Sequence, residues 1–226
     1  MNRSLLLLAT TAAMSALASV APHAAVLTAD VFDDGTLIDT VTSSSGALTL
    51  NSTDAAFSLI NVDATGAPLI PGGDLSTITL NVKNVSAGSR TLTVDVFQTG
   101  LTVPANGTLS SFTVNDLVGA GNIGPTTEST FANGTSSSLG TLLATHTFPT
   151  GTTSGEFGPV SAGAGALFAD AHQYIIPFTG PGSANDSIEL TTGVPEPSTW
   201  VMLGMGFAGL AALGWRKRKP AQLELI

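Results

Sequence analysis

The stretch TITLNVK, Thr77 to Lys83, alternates strictly: Ile78, Leu80 and Val82 fall on one side, Thr77, Thr79, Asn81 and Lys83 on the other. TLTVDVF repeats the pattern with Leu92, Val94 and Val96. A period of two held over six or seven residues has one structural solution, a strand with one buried face and one wet face. The same grammar runs through VLTADVF, TLIDTV, ALTL, AFSLINV, SFTVNDLV, GTLLATHTF, HQYIIPF and SIELTT, which makes about ten strands. Ser and Thr supply nearly a quarter of the chain, while the helix formers Lys, Arg, Gln and Glu are scarce. Short alternating strands separated by polar turns predict an all-β, antiparallel β-sandwich. Asp33-Asp34-Gly35 between the first two runs is a hairpin signal. The polar stretch NVSAGSR predicts that the TITLNV and TLTVDVF strands pair as a second hairpin. Residues 121–138, GNIGPTTESTFANGTSSS, read as a long loop or a poorly paired edge.

The two ends of the chain follow a different logic. Residues 1–25 carry Arg3, then an apolar run from Leu5 to Val20, then small residues at Ala24 and Ala25, the layout of a secretory signal peptide. Residues 26–193 are one domain's length and can bury roughly 70% of their unfolded surface. They hold fourteen acidic residues against two basic ones, Lys83 and Arg90, a net charge of −12. Such a surface repels nucleic acid, so none is expected as a partner. The chain has no cysteine, which excludes disulfides, thiol catalysis and cysteine-held metals.

Several motifs that could carry chemistry fail on their context. GAGNIG at Gly119–Gly124 has the spacing of a dinucleotide loop, but Pro125 and TTEST follow where a helix is required. NVDATG opens like a calcium loop, yet position 72 is Gly rather than the closing glutamate. Asp30, Asp33 and Asp34 are candidates to gather round a cation, set against the alternative of a solvated acidic turn. His146 and His172 are the histidines of the domain, and Asp170 shares a strand face with His172. No G-x-S-x-G accompanies them, and neither a catalytic role nor a cofactor is expected. Asn51, Asn84, Asn106, Asn133 and Asn185 each begin an Asn-x-Ser/Thr triplet.

The C-terminal segment is the most specific. Trp200 to Trp215 is sixteen residues without a charge, about 24 Å as a helix against a ~30 Å hydrocarbon core. A tryptophan closes each end, and Arg216, Lys217, Arg218 and Lys219 follow, an arrangement that anchors a transmembrane helix with its basic end in the cytoplasm. Before it stand Val194, Pro195, Glu196 and Pro197, a stiff acidic segment that cannot join the helix. This order of Val-Pro-Glu-Pro-Ser, apolar helix and Arg-Lys-Arg-Lys resembles the PEP-CTERM sorting signal of Gram-negative bacteria. The resemblance implies recognition by an exosortase, a membrane transpeptidase-like enzyme, removal of the tail, delivery outward and a link to exopolysaccharide and biofilm. It covers about residues 194–219, within a sorting unit that runs over residues 194–226, and Pro195, Glu196 and Pro197 carry over directly. The Ser/Thr-rich middle is similar in style to the cysteine-poor β-domains that many such proteins carry.

The expected protein is therefore an exported sorting substrate, not an enzyme. Its partners would be the export machinery, signal peptidase, the exosortase, the inner membrane transiently, and exopolysaccharide. The expected role is structural or adhesive in the extracellular matrix. The alternative is a carbohydrate- or cation-binding surface module working through acidic loops.

Overall fold

A computed structural model describes residues 25–70, 74–103, 108–115, 122–149, 155–162 and 166–192. Residues 1–24 of the expected signal peptide and the segment from Val194 onward lie outside the described residues. Among those described, the chain forms twelve strands. They are β1 (Val26–Asp33), β2 (Thr36–Ser43), β3 (Ala47–Ser52), β4 (Phe57–Thr65), β5 (Leu75–Asn84), β6 (Arg90–Val103), β7 (Thr108–Asn115), β8 (Thr126–Ala132), β9 (Thr141–Phe148), β10 (Gly155–Ala162), β11 (Leu167–Phe178) and β12 (Gly182–Thr192). Two six-stranded antiparallel sheets result, in the orders β2-β1-β6-β11-β8-β9 and β10-β7-β12-β5-β4-β3.

The alternation that built the strands also places the core. Val94, Val96, Tyr174 and Ile176 of the first sheet meet Leu80, Val82, Phe112 and Ile188 of the second in one buried cluster. Phe57 and Phe178 meet edge to face across the gap at 5.7 Å, a favoured aromatic geometry. The two sheets thus pack face to face as a sandwich.

The β1–β2 hairpin forms as the sequence predicts. Asp34 and Gly35 occupy the left-handed region at φ 47° and 79°, the conformation a two-residue turn of this hand demands. The second predicted hairpin does not form. β5 and β6 lie in different sheets, so the five residues between them cross the sandwich instead of turning back within a layer. Period two specifies a half-buried strand but not its neighbour, and five residues easily span the ~10 Å between layers. Buried Asn84 fixes that corner, donating from Nδ2 to the Gly180 carbonyl at 2.8 Å and accepting the Ser86 amide at 3.0 Å.

Residues 121–138 are not one loop. Thr126–Ala132 is the interior strand β8, paired with β11 and β9. Its core-facing positions are Thr126, Glu128 and Thr130, all buried, so no apolar alternation announces it. A further strand, β10, pairs with β7. Within β5 the predicted face holds at Leu80 and Val82, but a register irregularity lies between Asp63 and Ala64 of β4, opposite Thr77–Thr79. Beyond it Thr77 is buried, while the side chain of Ile78 lies outside the described set.

Candidate functional site

The acidic turn comes first. Arg90 Nη1 lies 3.3 Å from Asp33 Oδ2 and 3.1 Å from Asp34 Oδ2, and Thr91 donates its amide to Asp34 Oδ1 at 2.8 Å. The turn is thereby tied to the start of β6 by the chain's own cation. Burial, opposed by Arg90, raises the Asp33 carboxyl above its usual value. Asp30 stands apart on the outer face of β1. There it accepts from Thr40 and sits opposite Asp95 in the ladder. Asp95 is pushed up to about 6 by burial, against a hydrogen bond from Gln173 and with Asp30 adding repulsion. The structure therefore joins Asp33 to Asp34 and sets Asp30 elsewhere. Among the described residues no group of three or more His, Asp or Glu side chains is placed to hold a metal ion.

The histidines take structural partners. His172 Nδ1 is 2.9 Å from Thr77 Oγ1 across the sandwich. The Ile188 amide donates to Tyr174 Oη at 3.0 Å, and Tyr174 also hydrogen-bonds Thr77. This chain of polar contacts stitches the two sheets through their middle. Burial lowers His172 to about 3 and keeps it neutral. Asp170 shares the His172 face of β11 as the sequence predicts but takes a different partner, Gln98, whose Nε2 donates to its Oδ1 at 3.4 Å. Desolvation holds the Asp170 carboxyl well above its usual value. Gln98 reaches past Gly66, where a Cβ would fall 1.9 Å from its Oε1, and accepts the Ala67 amide. His146 stacks on Phe112 at 6.4 Å and meets Phe148 edge to face. His172, Asp170 and Thr77 are each at most 1% exposed, which closes them to an external substrate.

The outer face of the second sheet is different in kind. Its strand registers pair Asn51 with Asn61, Asn61 with Asn81, Asn81 with Asn185, and Asn185 with Asn115. Five asparagines thus stand in one row across β3, β4, β5, β12 and β7. Asn61 Nδ2 donates to Asn51 Oδ1 at 3.0 Å, and Asn185 Nδ2 donates to Asn81 Oδ1. The next row is hydroxyl-rich, with Thr49 donating to Asp63 at 2.7 Å. Beside the row a register shift between Asp186 and Ile188 of β12 accompanies a depression of about 210 Å3, lined by Ser76, Ser111, Thr113, Ser187 and Glu189 among others.

Sequence reasoning missed this row, although a signal exists. Each of the five asparagines follows an apolar residue that faces the core: Leu50, Ile60, Leu80, Val114 and Ala184 are all buried. The repeated apolar–Asn pair therefore marks the wet side of five strands. Three of these positions, Asn51, Asn61 and Asn185, read in the sequence as members of glycan triplets or of the calcium-loop-like stretch. Of the other triplets, Asn84 is consumed at its corner. Asn133 bonds the Ala166 carbonyl and the Phe168 amide.

Residues 193–219 match the family model described as the PEP-CTERM protein-sorting motif. No curated protein matches the chain. Among solved structures, the chain is similar to TmCBM61 in complex with β-1,4-galactotriose, with 10% identity, a TM-score of 0.38, and 66% of this chain and 89% of that one covered. It is also similar to the enzymatically active domain of tailspike protein 4 of bacteriophage CBA120, with 11% identity and a TM-score of 0.37, over 66% of this chain and 19% of that one. A third is the carbohydrate-binding module of Cellvibrio mixtus lichenase 5A in complex with cellotriose, with 16% identity and a TM-score of 0.27, over 66% and 89%.

Proposed function

We propose that this PEP-CTERM protein is made as an exported precursor, held at the inner membrane by Trp200–Trp215, and cut by an exosortase-type enzyme that recognises Val194–Pro197. The released domain then serves as a structural or adhesive component of the extracellular polysaccharide matrix. The observation that carries the reading is the match of residues 193–219 to the sorting motif. That motif begins at the residue after β12 ends, at Thr192. The domain and the sorting signal therefore abut in sequence.

The chemistry supports the division of labour. Four cations after the apolar run resist passage through lipid, at about 2.5–3.5 kcal/mol each on insertion scales. An anchored chain needs a cut to leave. Proline rigidity lowers the entropy cost of fitting an enzyme groove. Changing Glu196→Ala or Pro197→Ala is expected to leave full-length protein in the inner-membrane fraction with the domain folded, as read by fractionation and intact mass. Arrival of these variants outside the cell at normal yield and mass would overturn the sorting role.

A further inference from the structure

We propose that the asparagine row on the outer face of the second sheet is a binding platform for a neutral polysaccharide, with the adjoining depression seating one sugar unit. The inference rests on the reading that the domain works among extracellular polymers, and it names the surface and the class of polymer.

The geometry points to a linear, polyhydroxylated ligand. The four asparagine side chains described, one per strand on β3, β4, β5 and β12 at about 4.8 Å spacing, carry the row over roughly 14 Å, and the register position of Asn115 continues it on β7. That step is about the length of a pyranose ring. Each carboxamide has two donors and an acceptor oxygen with two lone pairs. The bonds from Asn61 to Asn51 and from Asn185 to Asn81 use one N–H of each donor. They orient the amides and leave the second N–H free to meet hydroxyls that both donate and accept. Asn51 is exposed, and Asn61, Asn81 and Asn185 are half-buried, so the row is held from below and open from above.

Charge selects among polymers. The row itself is neutral, but the domain carries −12, which repels polyuronates and other polyanions. Size argues likewise. A depression of about 210 Å3 is below the usual range for drug-sized ligands and suits a single ring. Glu189 at its edge accepts hydroxyl protons in charge-assisted bonds, while Ser187 and Thr113 offer hydroxyls of either polarity. Among the outward-facing residues described on this sheet there is no aromatic ring to stack on a lone sugar. Affinity must come from many weak contacts in register, which favours a polymer over a free monosaccharide.

The test uses the exported protein purified from its producing cells, run in native gels containing a neutral β-glucan, a neutral mannan or a polyuronate. Retardation by at least one neutral polymer, none by the polyuronate, and no displacement by monosaccharide are expected. Asn61→Ser with Asn81→Ser should weaken retardation about tenfold, the size expected for two net hydrogen bonds. Glu189→Gln should weaken it as well. Thr147→Ala, on the outer face of the other sheet, should leave it unchanged. Asn51→Ala, at the exposed end of the row, keeps the test open if the double variant loses its fold. No retardation by either neutral polymer, equal retardation by the polyuronate, or full retention in the folded row variants would overturn the proposal. Because purified protein is used, these outcomes are independent of whether Glu196 directs sorting.

Discussion

His172 and Asp95 show how single residues set the response to pH. The folded His172 titrates at about 3 against an ordinary 6.5, because burial disfavours the imidazolium. Between those values the unfolded chain binds a proton that the folded chain refuses, so this contribution is lost as pH falls through the window. Asp95 works in reverse. Its folded value of about 6 exceeds the ordinary 3.8, so its contribution is present below 3.8 and lost as pH rises through about 6. Asp170, raised by burial, adds to the Asp95 side. From 3.8 to about 6 the opposing slopes flatten the stability of the native protein. Asp95→Asn removes one opponent, so its urea midpoint should fall more steeply on acidification across that window than the native midpoint does. An unchanged slope would contradict the burial of Asp95. The sequence shows that Asp170 and His172 share a face, because strand alternation is local. Their partners, Gln98 and Thr77, are strangers in sequence: the pairing of β11 with β6 sets Gln98 beside Asp170, and the docking of the two sheets brings Thr77 to His172.

At the level of elements, a hairpin is readable when its turn carries its own instruction. Asp34-Gly35 does so through the left-handed backbone it adopts. A Cβ on Gly35 would meet nothing within 4 Å, so Gly35→Ala is expected to cost only the conformational term, about 1–2 kcal/mol. Asp34→Ala should cost more, since it also removes the acceptor of the Thr91 amide and one partner of Arg90. Paired thermal melts of the two variants check this ordering. β5 and β6 lack such an instruction, and two well-patterned strands turned out to belong to different layers. β8 escapes a hydrophobicity reading altogether because Thr126, Glu128 and Thr130 point inward. The asparagine row escapes for another reason. Each residue looks like an ordinary wet strand position, and the row exists only once five registers are fixed together.

For the whole molecule, the sorting tail was legible because it is contiguous, whereas the polar platform is assembled from five distant strands. The acidic imbalance was also legible, and it has a measurable effect. With −12 on the domain and Arg90 making the ion pairs among the described residues, screening should relieve self-repulsion. The melting temperature should therefore rise with added sodium chloride, and a fall would mean that the Arg90 pairs outweigh the repulsion. The strand order carries a last consequence. β11 holds β6 against β8 at the heart of one sheet, and β12 holds β7 against β5 at the heart of the other. A chain that emerges N-terminus first has four separate sheet fragments until its final two strands arrive. The keystones are laid last, and the next residues to appear are those of the sorting motif. Completion of the fold and arrival of the sorting motif are thus a single event in time, so the Pro-Glu-Pro segment appears only on a chain whose domain has everything it needs to close.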